Sequence, residues 1–194
     1  MEATQHIWNK FRIKHGESPP LTGFLDSNRT HLAELFTECG FTTGAEIGVK
    51  HGDFSAIIMS FNPKMKLYCV DSWAPYGRTT QERQDRHFQD TKLKLDQYEN
   101  VIYIKKASVD ALIDIPDLTL DFVYIDALHD FSSVIEDIIN WSKKVRRGGI
   151  VSGHDYCYKY GHGVIPAVDA YVKAYNLVLY LTKDLNTSWF WVKP

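Results

Sequence analysis

The chain has 194 residues, 44% hydrophobic and 24% charged, which suits one globular domain long enough for a proper core. A net charge of −2 gives no overall basic field, so the chain as a whole has no electrostatic support for nucleic-acid binding. No apolar run approaches the roughly 18 to 20 residues that cross a bilayer, and MEATQHIWNKFRIKHGESPP lacks the apolar core of a secretory signal, so a cytoplasmic location without membrane contact is expected.

Residues 1–28 fit no regular pattern; Trp8, Phe11 and Phe24 are interleaved with polar residues, as in a cover or an oligomer contact. A helix is predicted over 29–39, where Leu32, Leu35 and Phe36 share a face and Gly40 ends it. TGAEIGV reads as the first strand, 55–61 as a helix and KLYCVD as the second strand. The polar stretch 73–98 carries Arg78, Arg83, Arg86 and His87; it reads either as a solvated helix face or as a lid. NVIYIKKA and LDFVYID are the third and fourth strands. A helix over 132–145 places Val134, Ile138, Ile139, Trp141 and Val145 near helical spacing. GGIVSGHD is the fifth strand, 164–175 a helix, and NLVLYLTKDLNTSWFWVKP two strands joined by a polar turn. Cys39, Cys69 and Cys157, odd in number and scattered, argue against a disulfide framework or a zinc site.

This alternation predicts an α/β fold: a Rossmann-like, doubly wound, seven-stranded and mostly parallel sheet. The last two strands are too close in sequence for a parallel crossover, so they must form an antiparallel hairpin. In such sheets ligands sit beyond the C-terminal strand ends. Four of those ends carry polar groups: Glu46 with Gly48, Asp71, Asp126, and His154 with Asp155. A nicotinamide site would want G-x-G-x-x-G, whereas GAEIGVKHGDFS offers E-x-G-x-x-x-G.

The ordered set of Glu46-Ile47-Gly48-Val49-Lys50-His51-Gly52, VDSW, YIDALHDF and RRGGIVSGHDY resembles class I S-adenosylmethionine-dependent methyltransferases. Within that class it is most similar to the group of macrocin-type sugar O-methyltransferases. There the pattern H-x-[FY]-x-x-V-x-x-D (His129, Phe131, Val134, Asp137), Trp141 and GVIPAVDAYV also recur. The glycine loop alone is a weak signal; the ordered set is a strong one.

The resemblance implies a methyltransferase domain over 29–194, with 1–28 as an extension and 73–98 as a lid-like insertion. It implies S-adenosyl-L-methionine as cofactor, held by Glu46, Gly48, Gly52, Asp71, Ser72, Trp73, Ala107, Ser108 and Asp126. Gly48 and Gly52 would let the backbone approach the methionine part, and Glu46 would orient the loop or receive the ammonium through water. Asp71 would accept from the ribose hydroxyls, with adenine between Ser72–Trp73 and Ala107–Ser108. Asp126 occupies the place of the family's acceptor-facing or metal-binding carboxylate. His154 and Asp155 follow the fifth strand, where metal-dependent relatives carry further ligands. Asp126, His154 and Asp155 would therefore hold Mg2+ or another divalent metal, although an imidazole suits a transition metal or a general base better than magnesium. His129 is the other candidate base; His51 and His162 flank the same mouth without an assigned role.

The expected partner is a small-molecule acceptor: a sugar hydroxyl, a catechol-like diol or a small carboxylate. Amino-methylation of nucleic acid would want [DN]-P-P-[YF] where the chain has Asp126-Ala127-Leu128-His129. The alternative from another class is a catalytically idle or non-methylating S-adenosylmethionine-binding domain.

Overall fold

The computed structural model describes residues 2–13, 16–21, 27–158 and 163–194. Phe24 and His162 lie outside them. Five parallel strands carry the sheet: β1 (Thr43–Ile47), β2 (Lys66–Asp71), β3 (Val101–Lys105), β4 (Leu120–Ile125) and β5 (Val145–Gly153). β7 (Trp189–Val192) pairs antiparallel with both β5 and the short β6 (Tyr180–Leu181). The order is β3-β2-β1-β4-β5-β7-β6, so the chain winds outward from β1 and then restarts at β4, leaving the switch point between them. The doubly wound sheet and its terminal hairpin are as the sequence predicts.

β4, at the centre, is buried at all six positions, which is why LDFVYI is a nearly unbroken apolar run. Its alternate side chains serve two cores. Phe122 and Tyr124 face α2 (Arg29–Glu38) and α3 (Asp53–Phe61); Val123 and Ile125 face α6 (Phe131–Lys144) and α7 (Val164–Ala174). Local caps fix the helix starts: the Asn28 side chain accepts from the Thr30 and His31 amides, and Asp130 accepts from the Ser133 amide.

Two regions differ from the sequence reading. Residues 3–11, given no regular element, form α1 (Ala3–Phe11). Ala3 and Ile7 are buried in the core of α2, the Trp8 indole donates to the Tyr180 hydroxyl at 3.3 Å, and Lys10 pairs with Glu34 and Glu38. The helix was hidden because its buried face is only Ala3 and Ile7. The stretch 73–98 contains α4 (Gln81–Leu95), the crossover that parallel pairing of β2 with β3 requires. The stretch is helical, as one of its two readings had it, but its inward face of Gln84, His87, Thr91 and Leu95 is buried rather than solvated. α5 (Ser108–Ala111) is a single turn after β3.

All three cysteines are free. Burial pushes the Cys39 thiol up to about 12 and that of Cys69 higher still, which keeps both protonated. Among the described residues no helix is long and apolar enough to cross a membrane.

Candidate functional site

A cleft of about 700 Å³ opens beyond the C-terminal ends of β1, β2, β4 and β5. Its floor depends on Gly48, where β1 ends at φ 89° against the end of β4. A Cβ there would overlap the Asp126 carbonyl oxygen and stand 2.7 Å from Ala127 Cα. Gly52, at φ 72°, caps α3 and packs on Thr91. α4 holds the intervening loop from behind: the Lys50 carbonyl accepts from the Trp73 indole at 3.0 Å and the Thr91 hydroxyl at 2.9 Å. Lys94 donates to the His51 carbonyl at 2.7 Å.

Asp71 ends β2 with its carboxylate already aimed. One oxygen accepts the Lys50 amide at 2.8 Å and the other the Trp73 amide at 2.8 Å, leaving further lone pairs for a ligand. Glu46 is 2% exposed and accepts from the Ser55 hydroxyl. Burial pushes its carboxyl up to about 8 despite that bond, so it is mostly protonated at pH 7. Across the cleft, the Ser108 hydroxyl donates to Asp137 and accepts from the Trp141 indole at 2.8 Å. Burial raises the Asp137 carboxyl to about 6, with the Ser108 bond opposing.

At the β4 and β5 ends, two carboxylates and two imidazoles form a ring. His129 Nε2 stands 3.5 Å from Asp126 Oδ1 and 3.3 Å from Asp155 Oδ2. His154 Nδ1 stands 3.4 Å from Asp126 Oδ2 and 3.4 Å from Asp155 Oδ1. The backbone fixes this arrangement: the Asp126 amide donates to Ile47, the His154 amide to Ile125, and the Trp189 indole donates to the His154 carbonyl. Burial acts to raise the Asp126 carboxyl, but the hydrogen bonds and charges of His129 and His154 outweigh it and hold the group below the usual carboxylate range. The bond to Asp126 raises His129 against the effect of its own burial. Donor atoms of Asp126, His154 and Asp155 lie within 4.8 Å of one another, a spacing and mixed oxygen–nitrogen set that fits one divalent cation.

Of the residues singled out in the sequence, Glu46, Gly48, Asp71, Ser72, Ala107, Ser108, Asp126, His129, His154 and Asp155 line this one cleft. Gly52 and Trp73 do not. Trp73 is fully buried at φ 41°, its ring 4.6 Å from that of Phe88, because its indole N–H is used to tie down the Lys50 carbonyl. Its ring packs behind the loop, against Phe88. His51 lines the cleft and faces Asp90 at 3.1 Å. Sequence reasoning missed Arg29, Tyr76, Asp137 as a lining group, and Asn186 between β6 and β7. Asp137 alone had a signal, as the last position of the histidine-led pattern.

A family model described as a methyltransferase domain matches residues 45–156. No curated protein matches. Among solved structures, the chain resembles a Staphylococcus aureus protein provisionally named a caffeoyl-CoA O-methyltransferase, at 14% identity and TM-score 0.68 over 88% of this chain and 85% of that one. It resembles the O-methyltransferase NovP at 19% identity and TM-score 0.62, over 86% and 78%. A Bacillus cereus O-methyltransferase in complex with S-adenosylhomocysteine (SAH) aligns at 12% identity and TM-score 0.62, over 98% and 90%. At these identities the likeness is one of fold.

Proposed function

Because the chain belongs to the methyltransferase-domain family and is an S-adenosylmethionine-dependent methyltransferase, we propose that it methylates a hydroxyl oxygen of a small molecule. The observation that carries this reading is the ring of Asp126, His129, Asp155 and His154 in the same cleft as Gly48 and Asp71. The acceptor oxygen attacks the methyl carbon as the carbon–sulfur bond breaks, and the sulfonium leaves as the neutral thioether of SAH. The hydroxyl proton must go to an acceptor, and in this reading His129 or His154 takes it, with the two carboxylates beside it to orient the ring. Asp126, His154 and Asp155 would hold a divalent cation, which when bound lowers the hydroxyl's pKa as a Lewis acid. The likeness of the histidine-led pattern and of GVIPAVDAYV to the macrocin-type group supports a sugar or other diol hydroxyl as acceptor.

The reading is tested by calorimetry with SAH on the wild type and Asp71→Ala. Losing a charge-assisted ribose contact should cost about 1.5–3 kcal/mol, or roughly tenfold to a hundredfold in affinity. Wild-type affinity in the variant would remove the ribose assignment, and no heat in the wild type would remove the cofactor.

Proton linkage supplies a second check. If Glu46 receives the cofactor's ammonium, that charge favours its ionised form, so binding near neutral pH expels the proton that burial retains. The affinity for SAH should then rise with pH below about 8 and level off above it. Glu46→Gln should bind with a flat profile over the same range. A flat wild-type profile would assign Glu46 to loop support alone.

A further inference from the structure

Most cationic groups on the cleft are committed. Lys106 is neutralised by Asp114 at 2.6 Å, His51 faces Asp90, and Lys50 lies on the exposed rim. Arg29 is different. It is half-buried at the start of α2, with its guanidinium carbon 5.6 Å above the centre of the Phe54 ring, and among the described residues it has no ion-pair or side-chain hydrogen-bond partner. It also sits close enough to Glu46 to act on that carboxyl's charge.

We propose that Arg29 is the carboxylate-binding group of this cleft. The inference rests on the methyl-transfer reading above. Asp71, Asp126 and Asp155 make the cleft acidic, so a ligand carboxylate would be repelled unless a cation met it. A guanidinium presents a planar fork that pairs bidentately with a carboxylate, and its stacking on Phe54 limits the side chain's freedom before the ligand arrives. Glu46, once a bound ammonium has drawn off its proton, and Arg29 together match the two charges that an α-amino acid presents. That matches the amino-acid end of S-adenosylmethionine: ammonium toward Glu46, carboxylate onto Arg29. The same chemistry could come from a carboxylate on the acceptor, and the experiment separates the two sources.

SAH and its decarboxylated analogue S-adenosyl-3-thiopropylamine, which keeps the ammonium, are titrated into wild type, Arg29→Met and Arg29→Gln. Near-ultraviolet circular dichroism and melting confirm the fold, and the glutamine variant carries the test if the methionine one unfolds. A loss of about tenfold to a hundredfold for SAH, with the analogue unchanged, establishes the cofactor's carboxylate as the partner. SAH-loaded protein is also titrated with 3,4-dihydroxybenzoate and with catechol. Unchanged SAH affinity, together with a wild-type preference for the benzoate that both variants lose, establishes the acceptor's carboxylate. Equal losses for SAH and its analogue, or no loss for any of the four probes, overturn the proposal and leave Arg29 as a cover for Phe54. Failure of the wild type to bind SAH overturns the methyl-transfer reading, and this inference with it.

Discussion

Asp126→Asn should lower methyl-transfer turnover by about 10²–10⁴-fold while lowering SAH affinity far less. The carboxylate is the one acid of the ring at the end of β4, and both imidazoles approach it. Asparagine keeps its size but removes the charge that orients His129 and His154 and raises the basicity of His129. Two further measurements identify the chemistry. If the ring holds a divalent cation, a chelator should stop wild-type turnover and the asparagine variant should lose metal uptake along with activity. If it does not, chelator should have no effect, and a base must lose its proton before it can accept one. The rate should then rise with pH through a limb above the ordinary histidine value of about 6.5, because Asp126 favours the charged form of His129. That limb should vanish in His129→Ala if His129 is the base. Wild-type turnover in a folded Asp126→Asn, His154→Ala, Asp155→Asn triple variant would exclude the whole ring.

Gly48→Ala should strongly destabilise the fold. At φ 89° an L residue is strained, and the new carbon would overlap the Asp126 carbonyl and crowd Ala127. Neither neighbour is a flexible side-chain end, since both are backbone directly after the end of β4. A loss of roughly 4 kcal/mol or more is expected, equivalent to a fall in melting temperature of about 8–16 °C for a domain of this size. Gly77→Ala is the matched control. It shares a positive φ, 56°, but has nothing within 4 Å of the added carbon, so only the backbone strain of about 1–2 kcal/mol should remain. Equal melting temperatures for the two variants would mean that the contact between the β1 and β4 ends is softer than the geometry implies.

The parts legible in the sequence were those written in short-range chemistry. Strand–helix alternation gave the parallel sheet, the close spacing of the last two strands gave the hairpin, and acids after apolar runs marked the strand ends. What escaped was written in tertiary contacts. α1 has too few buried residues to show a stripe, and α4 buries glutamine, histidine and threonine because its inward face meets the polar back of the glycine loop. The resemblance sets Trp73 near the adenine; only the fold shows that its indole donates to the Lys50 carbonyl. Arg29 stands outside every motif, and its approach to the cleft depends on how α2 packs over Phe54.

The reversed direction of β7 has a consequence for how enzymes of this design can diverge. Because Trp189 pairs with Gly153 and Val192 with Ile150, β7 begins at the mouth, and the connection from Leu181 to Trp189 arrives there with Asn186 on the cleft. A parallel last strand would have delivered that connection to the opposite end of the sheet. The proposed cofactor residues sit around β1 and β2, whereas the hairpin tip is a surface loop on one flank of the cleft, of the kind where substitutions and insertions are tolerated. On the proposed reading, a tip that meets the acceptor would make acceptor preference and cofactor binding separable heritable traits: a lineage could change the length and residues of the tip, and with them its substrate, without disturbing the half that supplies the methyl group.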